Sequence, residues 1–96
     1  MITIETLRQI PDDHPAFPGH FPGNPILPGA VLAEMVVECA AEVGWTVESI
    51  EAIKFGRSIR RGGVLAVRFQ REGRSVHFVC TMGTEAVDSG KLCLAE

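Results

Sequence analysis

The two side chains of this sequence best suited to moving protons are His20 and Glu34, fourteen residues apart in the run FPGHFPGNPILPGAVLAE from Phe17 to Glu34. An imidazole titrates near neutral pH and serves as a general base when its ring is held in place, and a carboxyl group can handle the complementary proton. The surroundings of His20 are stiff. Pro18, Pro22, Pro25 and Pro28 each fix φ and remove a backbone donor, so the segment is neither helix nor central strand but a shaped loop. Flanked by Gly19, Phe21 and Pro22, His20 is either an aimed base or a loop histidine satisfied by backbone carbonyls.

Glu34 belongs to a helix. Val31, Leu32, Met35, Val36, Cys39 and Val43 fall at helical spacing, and Gly44 supplies the stop. The helix dipole favours a carboxylate in its opening turns, whereas burial under a sheet favours the protonated form. Glu34, Glu38 and Glu42 lie four apart and repel by about 0.2–0.5 kcal/mol per pair, with no lysine on the helix to offset them. They form either a solvated stripe or a stripe in which one member is kept for another purpose. The helix start, just after Pro28 and Gly29, leaves several backbone N–H groups without intrahelical partners, and Gly29 lets a ligand come close.

The elements that must position these residues follow from periodicity. Residues Ile2 to Ile10 read as a first strand ended by Pro11, Asp12 and Asp13. Beyond Gly44 the pattern predicts strands over Val47–Phe55, Val64–Arg71, Arg74–Met82 and Lys91–Ala95, with turns at Arg61-Gly62-Gly63, Glu72-Gly73 and Asp88-Ser89-Gly90. Leu65, Val67 and Phe69 alternate with Ala66, Arg68 and Gln70, as in an antiparallel sheet with one covered face. The expected fold is therefore α+β, one domain over residues 1–96, with the single helix covering the sheet.

At 96 residues the chain buries about 60–65% of its unfolded surface, so help from a partner subunit is expected. A 46% hydrophobic content in so short a chain points the same way. The net charge of −3, the absence of Tyr and a lone Trp45 argue against nucleic acid as a partner. No apolar run is long enough to span a membrane and the amino terminus lacks the order of a signal peptide, so the chain reads as cytosolic. Cys39, Cys80 and Cys93 are odd in number and widely spaced, and read as buried thiols. His14 and His77 read as structural, and the three histidines have no metal-ligand spacing. Lys54, Arg57, Arg60 and Arg61 concentrate positive charge, either to dock an acidic partner or to guard a sheet edge.

The run Gly19-His20-Phe21-Pro22-Gly23-Asn24-Pro25-Ile26-Leu27-Pro28-Gly29-Ala30-Val31-Leu32-Ala33-Glu34 resembles the signature of the 3-hydroxyacyl-[acyl-carrier-protein] dehydratases, which place a catalytic histidine and a catalytic Glu or Asp fourteen apart. The resemblance continues faintly through Ile53-Lys54-Phe55, Arg57, Gly62 and Asp88 to Glu96. It implies a hot-dog fold: a long central helix wrapped by an antiparallel sheet, pairing as a homodimer or higher oligomer with a continuous sheet and shared active sites. The compact form also resembles stand-alone thioester dehydratases of polyene or polyketide pathways. The chain is shorter than typical members ahead of the proline loop, and SIRRGG lacks the proline usual in that turn.

By that resemblance His20 takes the C2 proton of a (3R)-3-hydroxyacyl thioester and Glu34 of the partner chain helps deliver a proton to the departing hydroxyl, leaving a trans-2-enoyl thioester. Gly29 N–H would bind the thioester oxygen, the Ile26 carbonyl would orient His20, and the depth of the acyl tunnel would depend on packing among Phe17, Phe21, Met35 and residues of the partner. Acyl carrier protein would bring the substrate on phosphopantetheine to the basic residues Lys54, Arg57, Arg60 and Arg61, with no metal or redox cofactor. Two other readings stand beside this one: a hot-dog thioesterase, distinguished by release of free thiol, and a non-catalytic carrier-protein-binding partner subunit, which keeping both His20 and Glu34 disfavours.

Overall fold

Period-two alternation builds five strands and one run of helical spacing builds a single helix. The computed structural model describes residues 1–10, 29–56 and 63–96, with Gly29 and Ala30 described in backbone only. Along the chain run β1 (Ile2–Gln9), α1 (Gly29–Glu42), β2 (Val47–Phe55), β3 (Val64–Glu72), β4 (Ser75–Met82) and β5 (Glu85–Leu94). The strands form one antiparallel sheet in the order β1-β3-β4-β5-β2, so β1 and β2 are its edges. This is the expected α+β architecture of one helix against an antiparallel sheet.

Alternation decides which face is covered. Leu65, Val67 and Phe69 on β3, Val76, Phe78 and Cys80 on β4, and Leu92 and Leu94 on β5 are buried, and they meet Leu32, Met35, Val36, Cys39 and Ala40 of α1. Each fully buried Phe or Leu contributes about 1.5–3 kcal/mol relative to exposure. Arg68, Gln70, His77 and Val79 point to the opposite, exposed face. The helix ends in a Schellman arrangement: Gly44 has φ +89, its N–H donates to Ala41 O at 3.0 Å, and Trp45 N–H donates to Ala40 O at 3.0 Å. Trp45 then meets Phe69 edge to face at 5.6 Å between centroids, which pins the helix exit to the sheet.

Two connections are two-residue hairpins. Glu72 pairs with Ser75 around Gly73-Arg74, and Met82 pairs with Glu85 around Gly83-Thr84. Gly73 and Gly83 have φ of 62 and 64 while no non-glycine residue among those described has positive φ, the II′ pattern that suits strand twist. The second hairpin corrects the turn expected at Asp88-Ser89-Gly90, which lies inside β5 instead. Those turn-forming residues serve packing. A Cβ at Gly90 would collide with the Phe78 ring and the Ala52 carbonyl, and Asp88 turns inward to accept the Gly56 N–H at 2.8 Å.

β2 departs from strict alternation. Its register with β5 shifts between Val47 and Ser49 and again between Ile50 and Ala52, so one extra β2 residue is accommodated at each bulge. Val47, Ile50, Ile53 and Phe55 consequently pair with Leu94, Leu92, Gly90 and Asp88, and cross-strand partners share a face. Without the bulges Ile50 would point away from the helix; with them it points toward it. Gly90→Ala should overpack the β5 contact with Phe78 and lower stability by about 1–3 kcal/mol. The urea midpoint measures it, and an unchanged midpoint would refute the close contact.

Candidate active site

The helix fixes where Glu34 points. Leu32, Met35, Val36, Cys39 and Ala40 face the sheet, which leaves Glu34, Glu38, Ala41 and Glu42 exposed, with Ala33 and Val37 half-buried. Gly29 opens α1, so its N–H is among the donors the helix itself does not use. Five residues separate it from Glu34, an axial rise of about 7–8 Å. Donor and carboxylate thus share one helix end.

The acidic stripe is divided by a cation from another element. Arg8 of β1 donates from Nη1 to Glu38 Oε2 at 3.1 Å and from Nη2 to Glu42 Oε1 at 2.5 Å, and its Nη2 also reaches Cys39 Sγ at 3.7 Å. Glu34 pairs with none of the described residues. The repulsion that the helix cannot relieve with a lysine of its own is relieved by β1, and only for two of the three carboxylates. Sequence reasoning missed Arg8. A signal was present: Ile4, Thr6, Arg8 and Ile10 share the inward positions of β1, so a cation stood where the core pattern calls for an apolar side chain.

Glu34 borders a cleft of about 310 Å³ between the outward side of α1 and the edge strand β2, lined by Ala33, Glu34, Val37, Glu38 and Ile50. Three of those five are hydrocarbon side chains. Met35, expected to be among the residues on which the depth of an acyl tunnel depends, is 6% exposed in the core beneath the helix. A second hollow of about 300 Å³, lined by Glu5, Arg68, Gln70, His77, Val79 and Thr81, lies on the opposite face of the sheet, so His77 is remote from Glu34. Lys54 is exposed on β2. His20, Phe17, Phe21, Ile26, Arg57, Arg60 and Arg61 lie outside the described residues, as does His14. Among the described residues no group of three or more His, Cys, Asp or Glu could hold a metal ion, and no helix is long and apolar enough to cross a membrane.

With that geometry in view, residues 2–91 match the ApeI-like family, described as ApeI dehydratase. The chain belongs to the ApeI-like dehydratase family. Two curated relatives are named 3-hydroxyacyl-[acyl-carrier-protein] dehydratase FabZ. That of Latilactobacillus sakei subsp. sakei (strain 23K) is 30% identical over 90 residues, covering 83% of this chain and 64% of the relative. That of Anaplasma phagocytophilum (strain HZ) is 31% identical over 100 residues, covering 88% and 69%. The chain thus spans about two thirds of the length of these relatives. Among solved structures, the dehydratase heterocomplex ApeI:P from Xenorhabdus doucetiae superposes with a TM-score of 0.82 at 24% identity, covering 98% of this chain and 88% of that one. An uncharacterized protein from Erwinia carotovora subsp. atroseptica gives a TM-score of 0.80 at 32% identity, covering 97% and 82%. The sheet and helix of this ApeI-like chain agree with the hot-dog fold expected from its sequence.

Two buried titratable groups of the ApeI-like chain sit beneath the helix on the sheet. Burial pushes the Cys80 thiol up to about 12, with further contributions from Asp88 and Cys39, so Cys80 stays protonated and is no nucleophile. Cys39 is likewise buried, whereas Cys93 is only half-buried, a correction to the expectation of three buried thiols. Burial also raises the Asp88 carboxyl above its ordinary range, against the opposing hydrogen bond from Gly56. A raised folded value means that this group's contribution to stability is complete below the unfolded value and is lost as pH rises through the folded one. Asp88→Asn keeps an acceptor for Gly56 N–H and removes the buried charge. It should therefore be more stable than wild type near neutral pH, with the advantage shrinking as pH falls into the ordinary carboxylate range. Urea midpoints across pH measure this, and a pH-independent difference would contradict it.

Proposed function

We propose that this chain is a dehydratase that converts a (3R)-3-hydroxyacyl thioester, carried by acyl carrier protein, to the trans-2-enoyl thioester. The observation that carries the reading is the selective pairing on α1: Arg8 engages Glu38 and Glu42, while Glu34, fourteen residues after His20, has no counter-ion among the described residues and borders an apolar cleft. The ApeI-like family match and the FabZ relatives, whose name specifies an acyl-carrier-protein substrate, support the same chemistry.

In the proposed reaction His20 removes the C2 proton, and the negative charge that develops on the thioester oxygen is met by Gly29 N–H at the positive end of the helix dipole. The C3–O bond then breaks as Glu34, directly or through water, delivers a proton to the departing hydroxyl, which leaves as water. The C2=C3 double bond forms from the electrons released at C2. Ile26 O orients the imidazole. Phe17 and Phe21 contact the acyl chain, and Lys54, Arg57, Arg60 and Arg61 receive the acidic carrier protein. No metal or redox cofactor takes part.

The working unit in this reading is a dimer in which His20 of one chain faces Glu34 of the other. Its support is the edge of β2, which among the described residues pairs with β5 alone and exposes Ile50 and Phe55 at 40% and 58%. A second β2 at that edge would satisfy its unpaired backbone groups and continue the sheet. The neighbour from Xenorhabdus doucetiae is a heterocomplex, so the second chain is to be identified by measurement rather than assumed.

Purified protein given a 3-hydroxyacyl thioester should form enoyl product, and His20→Ala and Glu34→Gln should each slow it by about 10²–10⁴-fold. Mass in solution, alone and with carrier protein, gives the oligomer. Unchanged rates in both variants would sink the assignment, and a stable active monomer would sink the shared site.

A further inference from the structure

Ile50 stands apart among the apolar residues of β2. Strict alternation from Val47 would place it on the face away from the helix; the bulge at Val47/Ser49 brings it opposite inward-facing Leu92, and the bulge at Ile50/Ala52 then keeps Ile53 on the same face. It nevertheless gains little cover there. Ile50 remains 40% exposed, whereas Leu92 beside it is fully buried. A bulge that turns a large apolar side chain toward the helix without burying it needs a reason other than core packing.

That reason lies in the cleft. Ile50 forms its β2 wall, Ala33 and Val37 form its α1 wall, and Glu34 stands at its rim. Glu38 also borders the cleft, but its charge is held by Arg8. Among the described residues the cleft therefore offers one carboxylate without a cationic partner beside a short hydrocarbon surface, which matches a ligand with a polar reacting end and an apolar tail. At about 310 Å³ it is at the small end of ligand-binding pockets, so a wall residue of isoleucine size takes up a substantial share of the available room.

Resting on the dehydratase reading, we infer that Ile50 is a specificity-determining residue that limits the length of the acyl chain accepted beside Glu34. The tail runs from the reacting carbons at Glu34 along Ala33 and Val37 and meets Ile50, whose side-chain volume sets how many methylenes fit before the chain must bend into solvent. Ile50 takes no part in proton transfer. Its effect falls on the ratio of kcat/KM between long and short substrates.

The test compares Ile50→Ala and Ile50→Phe with wild type on short (about four-carbon) and long (about ten-carbon) 3-hydroxyacyl thioesters, with Glu34→Gln measured alongside. Because Ile50 is partly exposed, both variants should fold, which circular dichroism checks. Ile50→Ala should raise the long-to-short ratio of kcat/KM by about 10-fold or more, and Ile50→Phe should lower it, since a methylene-scale change in an apolar pocket is worth about 10–200-fold. If wild type turns over, Glu34→Gln abolishes turnover, and both Ile50 variants leave the ratio unchanged, the inference is overturned while the dehydratase reading stands. Absence of turnover in wild type on any chain length overturns both.

Discussion

Among the described residues one short helix covers the inward face of a five-stranded sheet, and the packing around it follows from how far it reaches. Fourteen residues of α1 extend about 21 Å, and five strands span about 20 Å across the sheet. The helix can seal the buried residues of β3, β4 and β5 but does not enclose the outermost strand. β2 is left with Ile50 and Phe55 half-open, and the space between it and α1 becomes a cleft. The incompletely covered edge and the candidate site are thus one feature of the packing. Among the described residues no strand pairs with the outer side of β2.

Charge is organised around the same helix. A helix that carries three glutamates in one stripe and no basic residue is destabilised by its own sequence unless a cation comes from elsewhere. Arg8 supplies it from β1, at the opposite edge of the sheet from β2, and so draws the C-terminal half of α1 toward that side. Such partly exposed pairs contribute little to stability individually, about 0–1 kcal/mol. Their significance is selective: they account for Glu38 and Glu42 structurally and leave the carboxylate nearest the helix start unaccounted for. In the N-terminal half of the helix, where the dipole is positive, Glu34 has no cationic partner among the described residues.

Much of this was legible in the sequence wherever the cause is local. The helix from Val31 to the Gly44 stop, the strand Val47–Phe55 and the hairpin after Glu72 depend on periodicity and on one glycine at positive φ, and the structure agrees to within a residue or two. The illegible parts have distant causes. Asp88-Ser89-Gly90 has turn composition, yet Gly90 is there to admit the Phe78 ring and Asp88 to hold Gly56, contacts no window along the chain displays. The division of the glutamate stripe depends on a residue thirty or more positions away in sequence. For the site itself, the pairing of His20 with Glu34 was suggested by spacing and family resemblance, whereas the cleft beside Glu34 required the fold.

β2 shows how a local irregularity carries functional meaning. Its apolar residues Val47, Ile50, Ile53 and Phe55 are spaced three, three and two apart, a pattern that fits neither a regular strand nor a helix. Each extra residue at a bulge costs ladder hydrogen bonding, and on an edge strand that cost is small because one side of the ladder is already unpaired. The return is that four apolar side chains face the helix from a strand too irregular to be rolled flat against it. A regular β2 would have presented Ile50 to the outer face, leaving Glu34 beside a cleft without a far wall. The bulges are therefore best understood as part of the cleft, formed on an edge strand where a break in the ladder costs little.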